Sequence, residues 1–223
     1  MDLHIKDAAR LFNVAEEVVH QWMEERGLPA CTVNGKCRFN RQELLEWATV
    51  TGTRVDPELL QTDGAPDALP RITDALVAGG VLPGISGTDK EAVFAAIVQR
   101  LPLPAAVDRK FLQQVLLARE ALGSTGVGDG IAIPHPRNPI VLNVTRPTVT
   151  LALLANPVDY GAPDNKPVTS LFVLISPTVR VHLHLLSRLA YILHNTDFKT
   201  ALRRQARAED ILAAARHAEN HIP

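Results

Sequence analysis

The stretch Gly123 to Arg137, GSTGVGDGIAIPHPR, constrains this chain more than any other. It sets three alternate glycines, Gly126, Gly128 and Gly130, ahead of a short apolar strand at Ile131 to Ile133, and then holds His135 between Pro134 and Pro136. Proline brings no N–H to a sheet ladder, so the two prolines place His135 at a strand end or an exposed edge, with its ring open to a partner. The glycines have no Cβ, which lets the backbone take positive φ and another surface approach closely. The stretch reads as a reactive histidine on an accessible shelf.

With 223 residues, 46% of them hydrophobic, the chain can bury a real core in one or two domains. The apolar runs Thr148 to Ala155 and Thr169 to Ser176 are far shorter than a membrane span. The N-terminus carries no basic-then-apolar signal pattern, so a cytoplasmic protein without membrane insertion is expected. Basic and acidic residues balance, 23 against 24 overall and 7 against 8 up to Arg54. DNA binding must then come from a local patch, because no bulk charge supports it. Thr51 to Leu69 is rich in Thr, Asp, Gly and Pro and reads as a linker between residues 1–50 and residues 70–223.

Residues 1–50 have the order helix, turn, helix, hairpin, helix. Ile5 to Phe12 shows a helical apolar pattern that breaks at Asn13, and a second helix from about Ala15 to Arg26 buries Val18, Val19 and Trp22 before Gly27 stops it. Cys31 and Cys37 flank Asn34-Gly35, a strong two-residue hairpin signal. That turn pairs Thr32 with Cys37 and Val33 with Lys36, which sends the two thiols to opposite faces and excludes a disulfide between them. Two sulfurs without neighbouring ligands make no tetrahedral metal set. Asn40 and Glu43 form a capping box for a third helix through Trp47.

IKDAARLF, the VHQW segment, GLPA, the NGKCRF wing and the closing ELLEW together resemble the small helix-turn-helix module of the MerR and excisionase families. The resemblance implies a second helix in the major groove, with Glu16, Glu17, His20 and Gln21 nearest the bases, and a wing that carries Lys36 and Arg38 to phosphates. Ala15 offers no capping oxygen, and Glu16 and Glu17 repel phosphate. Arg26, Lys36, Arg38 and Arg41 offset that repulsion.

From Pro70 the pattern is α/β. Helices are predicted at Ile72 to Val77, from Thr88 with Glu91 through Leu101, from Asp108 to a stop at Gly123, at about Thr178 to His194, at Phe198 to Gln205 and at Ala208 to Asn220. Strands are predicted at Ile131 to Ile133, Ile140 to Val144, Thr148 to Ala155 and Thr169 to Ser176. At 100° per residue, Val179, Leu183, Leu186, Ala190 and Leu193 form one apolar stripe. His182 lies about 40° from the centre of that stripe and His184 about 160°, so His182 faces in and His184 faces out. A phosphoryl group on a nitrogen of His135 would need donors for its oxygens, which an imidazole N–H and a guanidinium such as that of Arg119 can provide.

AREALGSTGVGDGIAIPHPR together with HLHLLSRLA resembles the phosphotransferase-system EIIA domain of the fructose, mannitol and nitrogen-regulatory type, over roughly Pro70 to Ile222. The resemblance implies a mixed sheet flanked by helices, preceded here by a small, mainly helical winged helix-turn-helix domain. It makes His135 the phosphorylated histidine, His182 its neighbour and Arg119 a phosphate-stabilising residue, with Ser124 and Thr125 lining the pocket. No cofactor is implied. The implied donor is the small phosphocarrier HPr or its nitrogen-branch counterpart. With the helix-turn-helix module fused to it, the leading reading is a regulatory phosphocarrier, in which the negative charge added at His135 is expected to change domain docking and so DNA or partner binding.

Other chemistries find less support. No G-K-[ST] follows the glycines and no G-x-G-x-x-G opens a helix. Ser124 lacks the G-x-S-x-G elbow of a hydrolase nucleophile, and His184 points away from a metal site built on His135 and His182. Two alternatives stay open: a DNA-binding or scaffold protein whose second domain carries no phosphate, and a sugar-transport EIIA that hands phosphate to a separate EIIB. A homodimer is expected if the first domain pairs on two half-sites, although no heptad segment would carry it.

Overall fold

The structure is a computed structural model and describes residues 2–33, 36–51, 53, 55, 69–137, 142 and 144–222. The chain divides into two compact units, Met1–Ala68 and Leu69–Pro223. Most of the predicted linker lies outside the described residues, as do Asn34 and Gly35.

The first unit runs β1 (Asp2–Leu3), α1 (Ile5–Phe12), α2 (Glu16–Glu25), β2 (Cys31–Val33), β3 (Lys36–Asn40) and α3 (Arg41–Thr51). α1 buries Ala8, Ala9, Leu11 and Phe12 and ends at Asn13, whose φ of 52° is a left-handed cap. Gly27, at φ 64°, turns the chain out of α2. Only Val19 of α2 is fully buried; Val18 and Trp22 are half-buried because the helix lies at the surface of a very small core. Trp22 and Trp47 stack with Phe12 at centroid distances of 5.3 to 5.8 Å and so join all three helices.

The hairpin register is the predicted one, with Thr32 opposite Cys37 and Val33 opposite Lys36. β1 adds a third strand, pairing Leu3 with Phe39. Two residues are too few to show an alternating pattern, which is why the sequence did not reveal it. α3 continues past the predicted stop at Trp47, since no helix breaker comes before Gly52 and Ala48 is still buried.

The second unit contains α4 (Ile72–Gly79), β4 (Val81–Ile85), α5 (Lys90–Arg100), α6 (Arg109–Ala121), β5 (Gly126–Gly128), β6 (Ile131–Ala132), β7 (Thr148–Val158), β8 (Val168–Ile175), α7 (Val179–Ile192), α8 (Thr196–Arg203) and α9 (Ala208–Glu219). The strands form a mixed sheet in the order β4-β7-β8-β6-β5. β4 is parallel to β7 and β6 to β8, while the other two pairings are antiparallel.

Strand alternation separates two cores. Val149, Leu151, Leu153, Phe172 and Leu174 pack with α4, α7, α8 and α9 on one face of the sheet. Ala152, Leu154, Leu171, Val173 and Ile175 pack with α5 and α6 on the other. Both faces are covered, so β7 and β8 read as nearly continuous apolar runs.

Three features differ from the sequence reading. β4 was missed because Pro83 and Gly84 interrupt it. The strand is at the sheet edge, and its register shifts between Leu82 and Ile85, where a proline is tolerated. The cap of α5 is Asp89, which accepts the Ala92 N–H at 2.9 Å, in place of Thr88. Of the strand expected at Ile140 to Val144, residues 140, 141 and 143 lie outside the described residues, while Leu142 and Val144 are buried but not part of a strand.

Candidate functional site

His135 follows β6, whose Ile131 and Ala132 pair in parallel with Ser170 and Leu171 of β8. The alignment persists one step further, because the Leu174 N–H donates to the Pro134 carbonyl at 3.0 Å. Proline can accept in a ladder although it cannot donate, so Pro134 continues the pairing on the side where an acceptor is needed. The segment is a strand end, as expected. It is not an open shelf: His135 is only 4% exposed and both flanking prolines are buried. β6 lies between β8 and β5, so a chain leaving its end is still within the sheet layer.

The glycines before it form a hairpin that had not been expected as one. β5 and β6 are antiparallel, and the two residues between them, Asp129 and Gly130, have φ of 54° and 76°. Positive φ at both central residues is what the primed hairpin turns require. The surface that approaches this backbone belongs to the protein itself. A Cβ on Gly126 would come within 2.8 Å of the Ala162 Cβ, and Asp164 accepts the Asp129 N–H at 2.8 Å.

The ring of His135 is fixed by its own strand. Nδ1 lies 2.7 Å from the Ile133 carbonyl oxygen, which can only accept, so Nδ1 carries the proton and the lone pair of the neutral ring falls on Nε2. α7 supplies the second histidine. Thr178 caps the helix by accepting the Val181 N–H, and this starts the helix where His182 turns into the core at 0% exposure. The His182 ring centroid is 5.1 Å from that of His135, at an interplanar angle of 55°, and its Nδ1 lies 3.1 Å from Ser176 Oγ.

His184 does not face solvent as the angle predicted. It is half-buried, and its Nε2 donates to the Pro70 carbonyl at 3.1 Å. α7 packs between the sheet and the α4–α9 side, so its buried face is wider than a single stripe. Burial lowers the His184 pKa, the positive charge of Arg188 lowers it further, and the bond to Pro70 opposes both.

Arg119 lies in the last turn of α6, where its guanidinium donates to the Gly123 carbonyl at 3.0 Å. The Ser124 hydroxyl donates to the Tyr160 carbonyl at 2.7 Å and its oxygen accepts the Gly126 N–H at 3.1 Å, so this side chain holds the loop in shape. Thr125 is buried, and its hydroxyl donates to Glu120 at 2.6 Å. Sequence reasoning missed Glu120, Lys90 and Tyr160. Lys90 pairs with Glu120 at 2.8 Å and its ammonium sits 4.6 Å from the Tyr160 ring centroid. The Tyr160 phenol is pushed far above its ordinary pKa by burial and by the Glu120 charge. One signal for Glu120 was available: an acidic residue in the last turn of a helix opposes the macrodipole, so another partner must hold it there.

In the first unit, Glu17, His20 and Gln21 are exposed along α2 and Glu16 is half-buried. Gln21 is tied to Glu25 at 2.9 Å. Ala15 begins the helix with no side-chain cap. Arg26 is exposed and stacks over Trp22 and Trp47 at 5.3 and 5.2 Å, while the Trp47 indole donates to its carbonyl. Arg38, on β3, lies against the imidazole of His4. The side chains of Lys36 and Arg41 lie outside the described residues.

Among the described residues no helix is long and apolar enough to cross a membrane. Residues 3–49 match the model of a helix-turn-helix domain. Residues 78–217 match the model described as phosphoenolpyruvate-dependent sugar phosphotransferase system, EIIA 2. A nitrogen regulatory protein of Pseudomonas aeruginosa is 37% identical over 143 residues, which is 62% of this chain and 90% of that protein. The fructose-specific EIIABC component of Bacillus subtilis is 30% identical over 145 residues, 64% of this chain and 22% of that one. The crystal structure of the nitrogen regulatory protein IIA-Ntr from Neisseria meningitidis superposes with a TM-score of 0.52 at 31% identity, covering 60% of this chain and 91% of that one. With its buried histidine pair at the end of a mixed α/β sheet, this chain belongs to the EIIA 2 family of the phosphoenolpyruvate-dependent sugar phosphotransferase system and carries a helix-turn-helix domain ahead of it.

Proposed function

We propose that residues 70–223 act as a regulatory phosphocarrier and that residues 1–50 bind DNA, joined by a linker at 51–69. The observation that carries the first part is the bond from His135 Nδ1–H to the Ile133 carbonyl, which leaves Nε2 as the nucleophilic nitrogen beside His182. A phosphohistidine on an HPr-like donor approaches, and Nε2 attacks phosphorus in line. The donor N–P bond breaks as the Nε2–P bond forms, and the donor nitrogen regains its lone pair.

His182 and Arg119 then stabilise the phosphoryl oxygens, and the loop through Ser124 and Thr125 shapes the wall of the site. Reversible carriage follows, because nothing in this step consumes water. In the first unit, α2 presents Glu16, Glu17, His20 and Gln21 to the major groove, and Arg26, Lys36, Arg38 and Arg41 meet phosphates.

The test is phosphotransfer from phosphoenolpyruvate through enzyme I and HPr, or their nitrogen-branch counterparts, to this protein. An acid-labile phosphate is expected on the wild type and none on His135→Ala. His182→Ala is expected to slow uptake by about 10²–10³-fold, the usual loss for one preorganised charge-stabilising donor. A wild type that takes no label from either donor would refute the carrier reading and leave an interaction scaffold.

A further inference from the structure

We propose that Glu120 is a positioning residue for phosphoryl uptake: from the end of α6 it holds Thr125, whose carbonyl accepts the Ile133 N–H and so fixes Ile133, the residue whose own carbonyl sets the tautomer of His135. The inference rests on the phosphocarrier reading of His135 and goes beyond it to the group that prepares the nucleophile.

Glu120 is a carboxylate with 6% exposure in the last turn of a helix. Burial and the helix dipole both disfavour a negative charge there, and an apolar side chain of similar size would pack at lower cost. Its bonds run in one direction, toward the site. Oε1 meets Lys90 Nζ at 2.8 Å, while Oε2 accepts both the Thr125 N–H, at 3.0 Å, and the Thr125 hydroxyl, at 2.6 Å. The Thr125 carbonyl accepts the Ile133 N–H at 2.9 Å, and the Ile133 carbonyl accepts His135 Nδ1–H at 2.7 Å.

One residue, Thr125, thus donates two bonds to a buried carboxylate and with its carbonyl accepts one from the residue that orients the ring. Thr125 lies between α6 and β5, where its carbonyl extends the β5–β6 pairing by one bond and its N–H and hydroxyl are held by Glu120. Lys90, from α5, anchors the carboxylate from a second element, and its ammonium is itself seated over the Tyr160 ring from the loop after β7. Displacing Glu120 would free Thr125 to shift, loosen the backbone on both sides of Ile133 and admit the opposite tautomer, in which Nε2 carries the proton and cannot attack phosphorus.

The experiment compares full-length wild type, Glu120→Gln and Lys90→Met/Glu120→Gln. Ring ¹⁵N signals of His135 report the tautomer, and phosphotransfer kinetics are measured with a phosphorylated HPr-like donor. In Glu120→Gln one end of the amide must point its N–H groups at either Lys90 or Thr125, both donors. The Nδ1–H population should fall and kcat should drop by about tenfold or more while KM for the donor is unchanged, because the docking surface is untouched. The double variant removes the ammonium, lets the amide oxygen face Thr125, and should recover both the tautomer and most of the rate.

Unaltered ring signals and rate in folded Glu120→Gln would overturn the proposal. So would a double variant that regains thermal stability without regaining the tautomer. The ring signals need no donor protein, so failure of the wild type to take up phosphate would refute the carrier reading while the coupling of Glu120 to His135 is still decided by the tautomer.

Discussion

At the scale of single residues, the packing of the second unit depends on a place where backbone comes too close for any side chain. Gly79, the last residue of α4, lies against β7 so that a Cβ would fall 2.3 Å from the Val149 carbonyl oxygen. The contact is with backbone, which cannot rotate away. Gly79→Ala should therefore destabilise the second unit by roughly 1–3 kcal/mol, the usual range for overpacking, and chemical denaturation would register it as a lower midpoint. A midpoint equal to that of the wild type would mean that α4 shifts freely on the sheet. The histidines are the complementary case. The inward face of His182 was legible from helical angle alone, whereas the burial of His135 was not, because two flanking prolines argue only for a strand end and do not say what lies beside it.

At the scale of elements, α7 and α9 hold the start of the second unit. The Glu219 carboxylate, from the end of α9, accepts the Ile72 N–H at 2.8 Å and the Thr73 N–H at 3.3 Å, so it caps α4 from a distant part of the chain, and Arg71 pairs with it at 3.2 Å. Burial would raise the Glu219 pKa, yet these bonds and the Thr73 hydroxyl outweigh it and hold the pKa below the ordinary carboxylate value. Glu219→Ala should cost about 1–3 kcal/mol by leaving buried donors unsatisfied, read as a lower thermal midpoint.

His184 adds a pH dependence. Its pKa is lowered from 6.5 in the folded protein, so the unfolded chain binds the proton more readily. Its contribution is complete above 6.5 and is lost as pH falls through the folded value. His184→Gln keeps a donor for the Pro70 carbonyl without a titrating group, and it should flatten the fall of stability with pH below about 6.5. An unchanged slope would assign that pH dependence to other groups.

At the scale of the whole molecule, the proposed function puts a phosphocarrier and a DNA-binding module on one chain, which would give phosphorylation a direct route to regulation. Phosphate on His135 adds about 1.5–2 negative charges to a chain whose formal charge is −1. Affinity for duplex sites selected from a random pool should fall on phosphorylation at fixed salt, and His135→Ala should stay in the high-affinity state under phosphorylating conditions. Arg38→Ala should weaken all selected sites about equally and reduce the salt slope by about 1, as loss of a phosphate contact does. Equal affinity of the two phosphorylation states would sever the link between the units.

The sequence by itself determined whatever rests on local chemistry. The expected hairpin register, Val33 opposite Lys36, was legible in the sequence, Asp108 set the start of α6 by accepting the Lys110 and Phe111 N–H groups, and the apolar spacing of α7 turned His182 inward. The same cues were present but unread at Asp129-Gly130, where the glycine run concealed a two-residue turn. Tertiary structure alone decided what depends on distant partners. It paired β4 across Pro83, closed the sheet around His135, drew His184 onto Pro70, and brought Lys90, Glu120 and Thr125 into one buried network. A buried charge is stable only where separate elements supply its donors, and the spacing of residues along the chain does not reveal which elements will meet.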